Sequence, residues 1–207
     1  MTLKARFINL TSSYINENQS IELLWNELES HYTEPHRTYH NLTHLEELFG
    51  YFDTYKKELD KPDLVAFPIF YHDIIYGIWN KKNEEDSAEK ALNVLKKTSL
   101  STDDLTTIES HILATKTHNA FLKDTQWMID FDLAILGSPI ARYNLYSQLI
   151  RKEYRKVPTF LYKKGRKKML KHFLEKPFIY STITFRELYE KQSKVNLQKE
   201  LDSLLPV

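Results

Sequence analysis

Apolar residues recur along this chain at intervals of three and four, and hardly anywhere in alternation. That spacing predicts helices, because a helix brings positions i, i+3, i+4 and i+7 to one face whereas a strand needs a period of two. Leu3 to Tyr14 and Ser20 to Tyr32 read as the first two helices, with Ser20 as an N-cap and Leu23, Leu24 and Leu28 on the inner face. Pro35 favours extended backbone at Glu34, and Asn41 reads as the cap of a helix running to about Tyr55. Pro62 opens a segment in which Leu64, Val65, Phe67, Ile69, Phe70, Ile74 and Ile75 are apolar nearly all round, the pattern of a helix buried in the centre. After a turn near Gly77 to Lys82, Asn83 is expected to cap NEEDSAEKALNVL; Ser101 or Thr102 is expected to cap the next helix. From Ala141 to the end the pattern gives three helices, with Pro158 and Pro177 as boundaries. The expected fold is all-α, a compact multi-helix bundle.

Composition narrows the chemistry. With no cysteine among 207 residues there is neither a disulfide nor a thiolate metal site, so any bound metal must be held by imidazole and carboxylate. No apolar run approaches the roughly 20 residues of a membrane span, and the N-terminus lacks a secretion signal, so the expectation is a soluble cytoplasmic protein without a membrane role. Net charge is near zero but uneven: residues 1–150 carry 14 basic and 22 acidic groups, residues 151–207 carry 15 and 6. The basic excess lies in RKEYRK and KKGRKK, where a solvated helical face is the favoured reading and attraction of phosphate-bearing ligands the other.

Three histidine-rich stretches carry the candidate chemistry. His72-Asp73 stands inside the apolar run, where an unpaired carboxylate costs several kcal/mol, so a metal or a basic side chain is expected beside it. A histidine followed by an aspartate arises by chance about 0.4 times in a chain with 8 His and 11 Asp, so its context has to carry the reading. Upstream, His40 and His44 in YHNLTH are four apart, which puts their side chains about 5–6 Å from each other on one helix face. Downstream, Asp130 and Asp132 in DFDLAILG diverge by about 200° on a helix, so only one points at any one centre. Asp132 is the preferred ligand and Asp130 a cap or outer acceptor. His111, Thr115 and His118 fall on one stripe, but two imidazoles about 10 Å apart along an axis do not ligate one ion. Glu84 reads either as a site carboxylate or as a glutamate favoured by the helix dipole.

The order His44, His72-Asp73, Asp132 resembles that of the HD superfamily of metal-dependent phosphohydrolases, whose ligands follow as His, His-Asp and a distant Asp. YHNLTH is similar to the YHNxxH motif of cyclic-nucleotide phosphodiesterases, in which the second histidine binds metal and the first protonates the leaving oxygen. EPHRTYHN, FYHDIIY, NEEDSA and DFDLAILGS together resemble a group of small bacterial predicted HD-superfamily phosphohydrolases, over about Tyr32 to Leu201. The resemblance implies one HD-type helical domain over residues 1–207, with a core of about 20–155 and an extension over 156–207. It implies metal-activated water hydrolysing a phosphate mono- or diester of a small substrate, nucleotides included. One or two divalent ions would be held by His44, His72, Asp73 and Asp132, and Mn, Fe, Ni, Co, Zn and Mg all suit nitrogen and oxygen donors. His40 would be the general acid, Glu84 would position water, Asp73 would bridge a second ion, and Arg37 or Lys116 would balance phosphate charge. His111 and His118 would line the cleft. Two other readings stay open: a di-iron oxygenase that uses His111 and His118 as extra imidazoles, and a non-catalytic module that binds a nucleotide or protein through its basic C-terminal region and keeps a structural metal. Nucleic acid is not the expected partner, although basic residues 151–171 leave it open.

Overall fold

In a computed structural model, which describes residues 1–15 and 17–204, every regular element is helical and no strand occurs among the described residues. The chain forms two compact units, Met1–Met128 and Ile129–Val207, and the division falls inside one helix. The expected extension 156–207 belongs to the second unit; its last three residues lie outside the described ones.

In the first unit α1 (Leu3–Ser12) packs on α2 (Asn18–Tyr32), and α1 also meets α3 (Leu42–Tyr55) and α4 (Pro62–Tyr71). α4 further contacts α5 (Asn83–Leu95) and α6 (Thr102–Thr117), so it is surrounded. Its sequence matches that place: every residue from Leu64 to Tyr71 is buried, and Phe70 meets Phe7 edge-on at 5.1 Å and Phe49 at 4.6 Å. The expected capping of α3 by Asn41 is present, its carboxamide oxygen accepting from Thr43 N–H at 3.0 Å. Ser101 caps α6 in a reciprocal box with Asp104.

Four local expectations need correction. α1 stops at Ser12 rather than Tyr14, and Ser13 closes it by returning its N–H to Leu10. Ser20 does not cap α2, which begins two residues earlier; its hydroxyl donates to Glu17 at 2.6 Å instead. Leu23 is exposed and Leu24 half-buried, because the inner stripe of α2 is Ile21, Trp25, Leu28 and Tyr32, a cleaner i, i+4, i+7, i+11 series. Asn83 does not cap α5: its carboxamide pairs with the backbone of Gly77, accepting from N–H at 3.0 Å and donating to C=O at 3.1 Å.

In the second unit the chain leaves α7 (Lys123–Leu133) through a tight turn at Ala134–Gly137 and continues as α8 (Ile140–Glu153), α9 (Thr159–Glu175), a short α10 (Ile183–Phe185) and α11 (Lys191–Ser203), with a π-helical turn at Arg186–Glu190. α11 packs on α9 and on the Ala134–Gly137 turn. Buried polar groups fix that packing. Asn196 donates to the carbonyls of Leu136 and Ser138, both at 2.8 Å, and Tyr143 and Arg166 converge on Glu200, the guanidinium at 2.7 and 2.9 Å. Gly137 allows the closest approach: a β-carbon there would lie 2.5 Å from the Tyr189 side chain and 2.8 Å from its carbonyl. Only glycine fits between the turn and the π-helical segment.

Candidate metal centre

α4 ends where its sequence turns polar. His72 closes the helix, its N–H returning to Pro68 C=O at 2.8 Å, and Asp73 stands in the turn that follows. The apolar run therefore places the His-Asp pair at the end of the buried helix, not inside it. Where it stands, the Asp73 side chain keeps 17% exposure.

Around His72 three nitrogen and oxygen atoms stand close together. His72 Nδ1 lies 3.1 Å from the carbonyl of Ile69, an acceptor only, so Nδ1 carries the proton and Nε2 presents a lone pair. That Nε2 lies 3.3 Å from His44 Nε2 and 3.2 Å from Asp73 Oδ2, while His44 Nε2 and Asp73 Oδ2 are 3.9 Å apart. Donors about 2.1 Å from one ion stand about 3.0–3.4 Å from each other at right or tetrahedral angles, and two of the three separations match. Asp132, in the last turn of α7, offers a carboxylate oxygen in a group whose His44, His72 and Asp132 donor atoms all lie within 4.8 Å of one another. These three side chains can hold a metal ion. Burial alone would raise the pKa of Asp73, yet with the rings protonated the charges of His72, His40 and His44 and a hydrogen bond from His72 hold it well below the usual carboxylate range.

His40 precedes the cap of α3, so it lies just outside the helix rather than on its first turn. Its ring still reaches the site: its centroid is 5.7 Å from that of His44 and 4.3 Å from that of Tyr76. His36 stacks on the same Tyr76 at 6.4 Å, and its Nε2 lies 3.0 Å from the Tyr76 carbonyl. Glu84 is half-buried in the first turn of α5; its pKa is raised by burial, with the charge of Asp73 adding to the effect. Glu85, next to it, is exposed and pairs with Lys116.

Two of the expected substrate residues are engaged elsewhere. Lys116 bridges to the start of α5, donating to Glu85 and, at 3.0 Å, to the carbonyl of Lys81. Arg37 is buried and donates mainly to backbone: Nη1 to Asp73 C=O at 2.6 Å and His40 C=O at 3.3 Å, and Nη2 to Ile74 C=O at 2.8 Å, while Nε donates to the Glu34 carboxylate at 2.9 Å. It thus ties the histidine loop 34–40 to the turn that carries Asp73. On the far side of that turn Ser87 accepts from Ile75 N–H at 3.1 Å, four residues along α5 from the Asn83 pairing with Gly77. Sequence reasoning missed these clamps, although the i, i+4 spacing of Asn83 and Ser87 was a visible signal.

The stripe expected from His111 to His118 does not persist. His118 adopts a left-handed conformation, φ 53°, as the C-cap of α6, which turns it off the helix. His111 is buried on α6, its Nδ1 2.7 Å from Thr125 Oγ1, and its Nε2 has no hydrogen-bond partner among the described residues. Asp130 is committed too: it accepts from Ser181 N–H and Thr182 N–H, both at 2.7 Å, and from the Thr182 hydroxyl at 2.6 Å. Asp130 is therefore an anchor for the start of α10, and Asp132 the residue on the ligand side. No protein-family model, no curated protein and no solved structure matches this chain.

Two outcomes follow from this geometry. Replacing Arg37 by Lys keeps the charge but supplies one point donor where four acceptors are held, so Arg37→Lys should lower unfolding free energy by about 2–4 kcal/mol in urea titration. An unchanged midpoint would remove the clamp. Burial pushes the His111 pKa down to about 4, with Asp124 pulling the other way. The unfolded chain then binds the extra proton from about pH 6.5 downward, so stability is lost as pH falls from about 6.5 to 4, by at most about 3 kcal/mol. His111→Gln should flatten that part of the stability curve; equal slopes in both proteins would contradict the assignment.

Proposed function

We propose that the protein is a metal-dependent phosphohydrolase of the HD type. The observation that carries this reading is the convergence of His44 Nε2, His72 Nε2 and Asp73 Oδ2 on one point beside Asp132, with His40 next to it. A divalent ion bound by such donors supplies Lewis acidity: it offsets phosphoryl charge and makes water acidic enough to attack near neutral pH. The chain's own residues perform the rest. His72 is locked by the Ile69 carbonyl in the tautomer that leaves Nε2 free for the centre. Asp73 contributes the carboxylate that offsets cationic charge, and the role of orienting the attacking water falls to Glu84, half-buried in the first turn of α5 and close enough to feel the charge of Asp73.

The water oxygen gives a proton to the Glu84 carboxylate and forms its bond to phosphorus as the bond to the leaving oxygen breaks. His40, as imidazolium, then gives that oxygen its proton, a role suited to an imidazole whose ordinary pKa lies near 6.5. Tyr76 packs against the His40 ring and limits its rotation. Arg37 takes no part in the reaction in this account: it holds the two backbone segments that carry His40 and Asp73. Small phosphate mono- and diesters are the substrate class.

The division of labour is testable with two variants. Asp73→Ala should lose both metal and activity, whereas His40→Ala should keep metal while turnover of a phosphate-ester panel falls by about 10²-fold or more. Loss of metal in both variants, measured by mass spectrometry alongside activity, would refute separate roles for the two residues.

A further inference from the structure

The basic run KKGRKK is divided by the helix that carries it. In α9 Arg166 turns inward to its bidentate pairing with Glu200, while Leu170 and Phe173 are buried in the same unit. Lys163, Lys164, Lys167, Lys168 and Lys171 line the opposite side, along a shallow groove of about 910 Å³. At 100° per residue these five fall within an arc of about 140°, and they extend about 12 Å along the axis. Glu175 is the one acidic group on the groove, and none of the five lysines makes an ion pair among the described residues. Elsewhere in the chain Lys61, Lys90, Lys116 and Lys123 each pair with a carboxylate.

An unpaired stripe of this kind works against its own helix. Lys163 and Lys167, Lys164 and Lys168, and Lys167 and Lys171 are like charges at i, i+4, each pair destabilising. A bound polyanion reverses the sign of that term. Phe160 completes the pattern: it stands one turn before the stripe, within the same arc, and 71% of its surface is exposed.

We propose that the lysine face of α9 binds single-stranded nucleic acid, the lysines tracking the phosphodiester backbone and Phe160 stacking a base at the head of the stripe. A series of cations beside an exposed ring is the arrangement such binding uses, electrostatic along the backbone and sequence-tolerant at the base. A single small phosphate would engage one or two of the lysines and leave the remainder without a ligand. A bilayer fits less well, because the exposed apolar residues of α9, Phe160 and Leu161, stand together in its first turn while Leu170 and Phe173 are buried, so no apolar face runs along the helix to enter the acyl region. The proposal is independent of the metal centre.

The test is fluorescence anisotropy of a labelled oligothymidylate with the full chain, titrated at increasing KCl, with vesicles of phosphatidylglycerol as the competing surface. Binding should weaken with salt with a log–log slope of about −2 to −3.5, the value for three to five phosphates on a single strand. Lys164→Glu combined with Lys168→Glu should lower affinity at least about ten-fold, and Phe160→Ala about five-fold or more, with circular dichroism unchanged. Should the charge reversal disturb folding, Lys163→Gln with Lys171→Gln reads the same stripe without adding acid. Absence of binding at low salt, affinity unmoved by the lysine changes, or tight vesicle binding that Phe160→Ala leaves intact would overturn the proposal, the last in favour of a lipid surface.

Discussion

The guanidinium of Arg37 holds the first unit's chemistry together. A loop rich in histidine, residues 34–40, and the turn after α4 are separated by more than thirty residues, and neither is regular structure that would fix its own shape. Arg37 joins them by donating to the carbonyls of His40, Asp73 and Ile74 while Glu34 offsets its charge. A planar fork with five donors can satisfy several carbonyls at once, which a lysine cannot. Ser87 and Asn83 grip the following residues, Ile75 and Gly77, from α5. The turn that presents Asp73 is thus held from both sides by side chains bonded to its backbone.

With that turn fixed, the electrostatics follow from burial. His44 and His72 are nearly inaccessible, and their ring nitrogens face each other at 3.3 Å. The tautomer set by Ile69 leaves a lone pair on His72 Nε2, and a carboxylate stands 3.2 Å away. Lone pairs and negative charge converging in a confined space are unfavourable unless a proton or a cation lies among them. Each donor is nitrogen or oxygen, as a chain without cysteine requires. Asp130 and Asp132 show how helical geometry sorts two acids: one anchors Ser181 and Thr182, the other joins the histidines.

Much of this was legible in the sequence where one residue type had one job. The apolar circumference of α4 marked a buried helix, Asn41 and Ser101 marked caps, and the 200° divergence of Asp130 and Asp132 anticipated their different surroundings, Asp130 accepting from Ser181 and Thr182 and Asp132 offering an oxygen to a group that could hold a metal ion. Legibility failed where a polar side chain had several equivalent uses. Asn83 and Ser20 sit where caps are expected, but side chain to backbone pairing across a loop and a hydrogen bond to Glu17 won instead. The hydrogen bonds of Arg37 to three backbone carbonyls, and of Lys116 to Glu85 and Lys81, could not be read from the sequence, which shows charge but not partners. His118 left its stripe because the helix ended on it, a boundary that periodicity marks poorly.

We propose that His44, His72, Asp73 and Asp132 form one metal centre, and the most direct measurement is isothermal titration of a chelator-stripped chain with Mn²⁺ and Zn²⁺. The account predicts saturable binding at about one ion per chain with proton release as ligands are deprotonated, and its loss in His72→Ala. A stripped wild-type chain that takes up neither ion, or a His72→Ala variant that binds as well as wild type, would contradict it.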